Sequence, residues 1–206
     1  REFDDKWMGN HEGMPALLTV IIPNDHGAGD RSDAGYPFRE SYMADNDLAL
    51  GRIVEYLSST SYWKNMLIVI TEDDAQNGVD HIDAHRSILM LASPWVKRDY
   101  VSHVHYSFGS LFKTFWNILN LPYLNQYDAG ANDLSDFFTD TPDFTPYYAL
   151  DVDRAIFDPQ KALDPFDEKF DWKAVKESPE IDNVEDMFRE SKEQDEDRLE
   201  NREKNK

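Results

Sequence analysis

The chain contains no cysteine among its 206 residues, so disulfide bonds and thiolate metal ligands are both excluded. It also lacks any apolar run that approaches the ~18 residues of a membrane-spanning helix. Basic residues are scarce, because 21 Lys and Arg stand against 41 Asp and Glu for a formal net charge of -20. This charge disfavours binding to nucleic acid or to an anionic membrane by general electrostatic attraction.

The overall composition is that of a folded domain. Hydrophobic residues make up 40% of the chain and aromatic residues 13%, which is ordinary for a globular protein. A chain of this length can bury one sizeable core. Its first residues, REFDDKWMGN, include neither an initiator Met nor the apolar segment of a signal peptide. We therefore expect a processed, cloned or truncated polypeptide.

Three apolar runs predict buried strands, namely residues 17–22 (LLTVII), 66–70 (MLIVI) and 88–92 (ILMLA). Amphipathic patterns predict helices over residues 41–59 and 107–120. Apolar strands that alternate with helices are typical of an α/β fold with a parallel sheet covered on both faces. The second predicted helix has a buried stripe formed by Leu111, Phe112, Phe115, Ile118 and Leu119.

The character of the sequence changes after residue 138. Residues 1–138 carry the predicted strands and helices and form the predicted α/β domain. Residues 139–177 mix Pro, Asp and aromatic residues without periodicity, which predicts an extended segment packed on the domain surface. Residues 178–206 are a charged tract, which predicts a helical or disordered acidic tail.

A charged loop separates the second and third predicted strands. The segment EDDAQNGVDHIDAHR at residues 72–86 contains five acids, two histidines and one arginine. Asp73 and Asp74 directly follow a strand, where ligands bind in open parallel sheets. Two adjacent ionised carboxylates at such a place favour a bound cation. The alternative is a pair of ordinary turn or helix-capping aspartates.

The end of this loop carries two Asp-His pairings, Asp80-His81 and Asp83 with His85, followed by Arg86. A histidine beside a carboxylate is typical of a metal ligand whose tautomer is fixed by the acid, although exposed surface histidines give the same pattern. Arg86 offers a two-pronged contact to phosphate or sulfate, or else pairs with a neighbouring acid.

Asp25 and His26 form a third cluster, in the PNDH turn that follows the first predicted strand. Three strand ends with Asp or His on each are expected to converge on one edge of a parallel sheet. The sequence therefore predicts a metal site there. Oxygen and nitrogen ligands alone are compatible with Zn, Mn, Fe, Mg or Ca.

Four segments together resemble the C-terminal half of alkaline-phosphatase-like hydrolases. They are LLTVIIPNDH, YMADNDLALGRIVEYL, MLIVITEDDAQNGVDH and HRSILMLASPWVKRDYV. Within that superfamily they are most similar to the bacterial phosphoesterase family of phospholipase C and acid phosphatases. The resemblance implies the C-terminal part of a mostly parallel sheet flanked by helices. It also implies metal-dependent hydrolysis of phosphate esters, in which a Ser or Thr nucleophile is phosphorylated and then released by water.

The resemblance further assigns roles to residues of the clusters. The implied metal ligands are Asp73, Asp74, His85, Asp25 and His26. The residues implied to bind substrate or to support those ligands are His81, Arg86, Asp80 and Asp83.

The resemblance implies that the nucleophile lies upstream, because nothing in residues 1–24 fits it. We therefore expect no catalytic nucleophile in this chain and an N-terminal remainder of the same protein as its partner. The expected substrate is a small phosphate ester, with no nucleic acid and no membrane insertion. Family members are often exported, which implies a periplasmic or secreted protein. The alternatives are a divalent-cation-binding module without catalysis, and a sulfatase-type or phosphonate-type hydrolase of the same superfamily.

Overall fold

The structure is a computed structural model that describes residues 3–8, 13–26, 30–73, 83 and 85–162. The chain divides into two compact units, Arg1–Gln160 and Lys161–Lys206. Nearly all described residues belong to the first unit, and the architecture is that of this unit. The acidic tail predicted over residues 178–206 lies outside the described residues, and the predicted domain boundaries stay predictions.

The regular elements of the described residues are mostly helical. The α-helices are α1 (Glu40–Ser58), α2 (Phe108–Leu119) and α3 (Gln126–Gly130), and the strands are β1 (Ile68–Thr71) and β2 (Leu89–Ala92). Shorter helical turns are a π-type turn at Asp4–Met8 and 3-10 turns at Pro23–His26, Ser32–Ala34, Trp63–Asn65 and Ser135–Phe137.

The helix predicted over residues 41–59 is confirmed as α1. Just before its first turn, the Phe38 amide donates to the Ser41 hydroxyl over 3.0 Å, which satisfies one backbone group that the helix leaves unpaired. The helix buries Leu48, Val54 and Leu57. Val54 and Leu57, three residues apart, share one face of a helix with 3.6 residues per turn, whereas Leu48, nine residues before Leu57, lies on the opposite side.

The helix predicted over residues 107–120 is confirmed as α2. The Ser107 amide donates to the Ser110 hydroxyl over 3.1 Å, and the two side chains form a capping box. Asn120 ends the helix in the left-handed conformation with φ of 55°, a usual helix terminator. The predicted buried stripe is only partly right, because Leu111 is buried while Phe112 is 41% and Ile118 58% exposed.

The mostly parallel sheet predicted for the chain is wrong. Within the described residues there is one sheet of two strands, and β1 and β2 pair antiparallel with Ile68 opposite Ala92. An apolar run indicates burial but does not specify the direction of its neighbour. The intervening residues 72–88 let the chain reverse, so the two runs pair as a long-looped hairpin.

The buried strand predicted for residues 17–22 is also wrong. This run is in no strand of the described chain, and Leu17, Val20 and Ile21 are 51%, 54% and 57% exposed. A strand needs a neighbour to pair its backbone groups, and no described strand pairs with this run. Residues 17–22 instead line one wall of a large cleft.

The core is built where α1 meets the sheet and the segment after residue 138. Val54, Trp63 and Ala92 form a buried cluster, and the Trp63 ring meets Tyr147 edge-to-face at 5.9 Å. Phe157 is 1% exposed. Tyr147 and Phe157 therefore pack on the rest of the unit, whereas Tyr148 is 74% exposed.

Candidate functional site

The antiparallel pairing brings the two ends of the acidic loop together. Thr71, the last residue of β1, lies opposite Leu89, the first residue of β2. Asp73 follows β1 by two residues and Arg86 precedes β2 by three. Both ends of the loop therefore emerge at one end of the sheet. The sequence predicted a different convergence, of three strand ends at one edge of a parallel sheet, and the described residues contain no such sheet.

Hydrogen bonds just beyond the strands hold these loop ends. The Thr71 hydroxyl donates to the Ile88 carbonyl oxygen over 3.0 Å. The Ser87 hydroxyl donates to the Glu72 carbonyl oxygen over 3.2 Å. These bonds connect the two sides of the loop as far as Glu72, one residue after β1, and Ser87, two residues before β2.

Asp83 organises the turn that carries His85 and Arg86. Its carboxylate accepts from the His85 amide over 2.9 Å, and its carbonyl accepts from the Arg86 amide over 3.1 Å. The Asp83 carboxylate also lies 3.5 Å from His85 Nδ1. The His85 side chain is 97% exposed, so the imidazole stands at the surface, beside an acid that can orient it.

The PNDH turn after residues 17–22 is held against α1. Asn24 donates its side-chain amide to the Asp45 carboxylate, and the Tyr36 hydroxyl donates to the same carboxylate oxygen over 2.8 Å. Burial, reinforced by the hydrogen bond to Asp45, raises the pKa of Tyr36 to about 12. Asp25 and His26 share the 3-10 turn with Asn24, but their side chains lie outside the described part of the structure.

A cleft of about 1850 Å³ connects these regions. Pro23, Glu72, Asp73 and Arg86 all line it, together with many apolar side chains. The start of the PNDH turn and both ends of the acidic loop therefore face one cavity. Asp73 and Arg86 are exposed, and each takes part in further polar or electrostatic contacts.

The candidate ligands are of a chemical type that binds metal ions, but the described residues do not contain a complete set of them. In the part of the chain that the structure describes, no three His, Asp or Glu side chains are placed to hold one ion. Asp74, Asp80 and His81 lie outside the described residues. Carboxylate and imidazole groups are nevertheless the donors that Zn, Mn and Ca accept in proteins.

Sequence reasoning missed the contact between Asn24, Tyr36 and Asp45. Asn24 and Asp45 are 21 residues apart, and neither lies in a pattern that points to the other. It also gave no role to Glu72, which lines the cleft beside Asp73. The one signal in the sequence for Glu72 was its position directly after a strand, where a residue can line a cavity.

In the described residues no helix has the length and hydropathy needed to cross a membrane. Comparison with models of known protein families gave no match, and comparison with curated proteins gave no significant match.

Proposed function

We propose that this chain supplies metal ligands to a metal-dependent hydrolase of phosphate esters. The observation that carries the proposal is the end of the β1–β2 hairpin. There Asp73 and Arg86 line one cleft, and the turn bearing His85 is fixed by Asp83. An acid and an imidazole are donors for divalent ions, and a guanidinium can bind phosphate oxygens.

Each of these side chains has a separate task. Asp73, with Asp74 next to it in the sequence, and His85 provide oxygen and nitrogen donors for one or two divalent ions. A bound ion would polarise a phosphoryl oxygen as a Lewis acid. The Arg86 guanidinium can hold two oxygens of the ester. These cations matter because a chain of charge -20 otherwise repels an anionic substrate.

The nucleophile is proposed to come from elsewhere in the same protein. The resemblance to bacterial phosphoesterases implies a Ser or Thr nucleophile upstream of the residues that carry the resemblance. We therefore propose that an N-terminal remainder completes the site, and that this chain alone does not turn over substrate. The same resemblance supports export to the periplasm or the medium.

A second candidate is a module that binds divalent cations without catalysis. The almost complete exposure of the His85 imidazole favours it, because catalytic ligands are usually held by surrounding contacts. This candidate predicts that metal raises the melting temperature while no ester is hydrolysed. A sulfatase-type or phosphonate-type hydrolase would instead reveal itself by its substrate profile.

The test uses the protein encoded by the complete gene, supplied in turn with Mn²⁺, Zn²⁺ and Ca²⁺. We expect hydrolysis of p-nitrophenyl phosphate or of its bis-ester, abolished by EDTA and by Asp73→Ala. The matched control Asp151→Ala changes an exposed acid outside the loop and should retain the rate. Metal binding without hydrolysis of any ester supports the cation-binding module. Hydrolysis of a sulfate or phosphonate ester that is faster than that of the phosphate esters supports a sulfatase-type or phosphonate-type hydrolase.

A further inference from the structure

Asp45 joins two distant segments of the chain to α1. One oxygen of its carboxylate, Oδ2, accepts a hydrogen bond from the Tyr36 hydroxyl over 2.8 Å and another from the side-chain amide of Asn24. Asn24 lies 21 residues before Asp45, in the 3-10 turn Pro23–His26. A hydrogen bond to a carboxylate is about twice as strong as one between neutral groups. Asp45 therefore links the PNDH turn to the helix.

The Tyr36 side of this junction is rigid. The Tyr36 ring stacks on Tyr42 with 4.3 Å between centroids and packs on Phe157 at 5.0 Å, and both of those residues are buried. The backbone of Tyr36 exchanges two hydrogen bonds with Arg31, of 2.6 and 2.9 Å. Because the ring and the backbone are both held, the Tyr36 hydroxyl is a fixed donor that sets the orientation of the Asp45 carboxylate.

The Asn24 side of the junction affects the placement of the turn more than the stability of the fold. Asn24 is exposed, so water can replace its hydrogen bond and no buried donor is left unpaired when the bond is broken. Surface substitutions of this kind usually change stability little. Breaking the bond nevertheless removes a fixed link between the turn and α1.

The turn lies where the candidate metal site is built. Its first residue, Pro23, lines the same cleft as Asp73 and Arg86. Its last two residues are the candidate ligands Asp25 and His26. A link that fixes this turn therefore acts on the backbone that carries two candidate ligands.

We propose that Asp45 is a positioning residue for the metal site. Its carboxylate, oriented by Tyr36, holds the side chain of Asn24. Because Asn24 shares one turn with Asp25 and His26, the backbone of both candidate ligands is placed with it. This inference rests on the proposed function, because it requires a divalent ion in the cleft. Residues that support ligands contribute about 10–100-fold to metal affinity.

The test uses the protein encoded by the complete gene, with Mn²⁺ for affinity and Co²⁺ for spectroscopy. We expect Asn24→Ala and Asp45→Ala each to lower the Mn²⁺ affinity, measured by isothermal titration calorimetry, by about tenfold or more. Both should also change the visible absorption of bound Co²⁺, which depends on its ligands and their geometry. The urea midpoint of Asn24→Ala should equal that of the parent, so its loss of affinity is not a loss of fold.

A double variant tests whether the two residues act through their shared bond. We expect the protein with both changes to bind Mn²⁺ no more weakly than Asp45→Ala alone, because two changes that break one bond do not add. Asp47→Ala is the matched control, since Asp47 is an exposed acid on the same helix. It removes the same charge and should leave the affinity and the Co²⁺ spectrum at the values of the parent.

Several results overturn the inference. They are a parent-like affinity or Co²⁺ spectrum in Asn24→Ala or Asp45→Ala, additive losses in the double variant, and an equal loss in Asp47→Ala. If Asp73→Asn still weakens Mn²⁺ binding in any of these cases, the proposed metal site stands without this positioning residue.

Two further results concern the turn and the site as a whole. Unchanged Mn²⁺ affinity when Asp25→Ala and His26→Ala are combined shows that the turn holds no ligand, and it overturns the inference alone. If the parent protein binds no divalent ion, the proposed function fails and the inference fails with it.

Discussion

Ser87 donates a hydrogen bond to the carbonyl oxygen of Glu72 over 3.2 Å. This bond joins the two ends of the acidic loop one residue before Asp73 and one residue after Arg86. Because each of those residues is one peptide unit from the bond, their backbones cannot separate far while it is intact. The bond therefore positions a candidate metal ligand relative to a candidate phosphate-binding group.

Ser87→Ala should weaken metal binding without removing a ligand. We expect the affinity for Mn²⁺, measured by isothermal titration calorimetry, to fall by roughly tenfold, the lower end of the range for residues that support ligands. Ser59→Ala is the control, because Ser59 is exposed and its hydroxyl bonds to the end of α1, away from the loop. Equal affinity of both variants would show that the Ser87 bond does not position the site.

Asp73→Asn should remove a ligand oxygen and its charge. We expect a loss of Mn²⁺ affinity larger than that of Ser87→Ala, at or beyond the ~100-fold upper end for supporting residues. Asp151→Asn removes the same charge from an exposed position outside the loop and controls for the general loss of negative charge. If the two variants lose affinity equally, the effect is one of net charge and Asp73 is not a ligand.

The sequence predicted the helices better than the sheet, for a physical reason. The apolar spacing of α1 and the Asn120 stop of α2 are local signals, because helix hydrogen bonds join residues four apart. Strand pairing joins residues that are distant in the chain, and an apolar run is equally compatible with a parallel or an antiparallel neighbour. The sequence therefore predicts strands at residues 66–70 and 88–92, but the parallel direction that it predicts for them is wrong.

The charged residues of the candidate site lie close in sequence and were predictable as a cluster, but their placement depends on the direction of strand pairing. Antiparallel pairing brings Asp73 and Arg86 to one cavity at one end of the sheet, whereas a parallel connection would enter β2 at the opposite end. The contact of Asn24 with Asp45 could not be predicted either, because it depends on how the PNDH turn packs on α1. No spacing rule connects residues from a turn and a distant helix face.

Ser41→Ala should destabilise the fold, because Ser41 ties α1 to the end of the unit. Its hydroxyl is fully buried and donates to the Ile156 carbonyl oxygen over 2.6 Å. Removing the donor leaves that carbonyl without this partner, at a cost of about 1–3 kcal/mol in the free energy of unfolding. Urea denaturation measures the change, and Ser59→Ala should stay within about 0.5 kcal/mol of the parent.

Leu134→Ala should be among the most damaging truncations. Leu134 is 0% exposed, so its removal loses buried apolar contacts and leaves a cavity, at a cost of about 2–5 kcal/mol. The same change at Leu150, which is 87% exposed, should cost less than about 0.5 kcal/mol. Thermal or urea unfolding of both variants distinguishes them, and similar losses would contradict the burial of Leu134.

Asp136 should make the stability of the unit depend on pH at both ends of the scale. Its carboxylate accepts from Ser102 over 2.6 Å, from Tyr100 over 3.1 Å and also from Tyr106. Burial acts to raise the pKa of Asp136, but the hydrogen bonds from Ser102 and Tyr106 outweigh it and lower the pKa below 3.8. Burial and the bond to Asp136 raise the pKa of Tyr106 from 10.0 to about 12.

The two pKa shifts make the free energy of unfolding depend on pH in opposite directions, one at acid and one at alkaline pH. A carboxylate with a lowered folded pKa contributes stability that is complete above 3.8 and is lost as the pH falls through the folded value. A phenol with a raised pKa contributes stability that is complete below 10.0 and is lost as the pH rises toward about 12. Urea denaturation at a series of pH values measures the free energy of unfolding. We expect it to fall less steeply toward acid pH in Asp136→Asn, and less steeply toward alkaline pH in Tyr106→Phe, than in the parent protein. Asp140→Asn, at an exposed acid nearby in sequence, should leave both slopes as they are, and a parent-like slope toward acid pH in Asp136→Asn would contradict the role of this cluster.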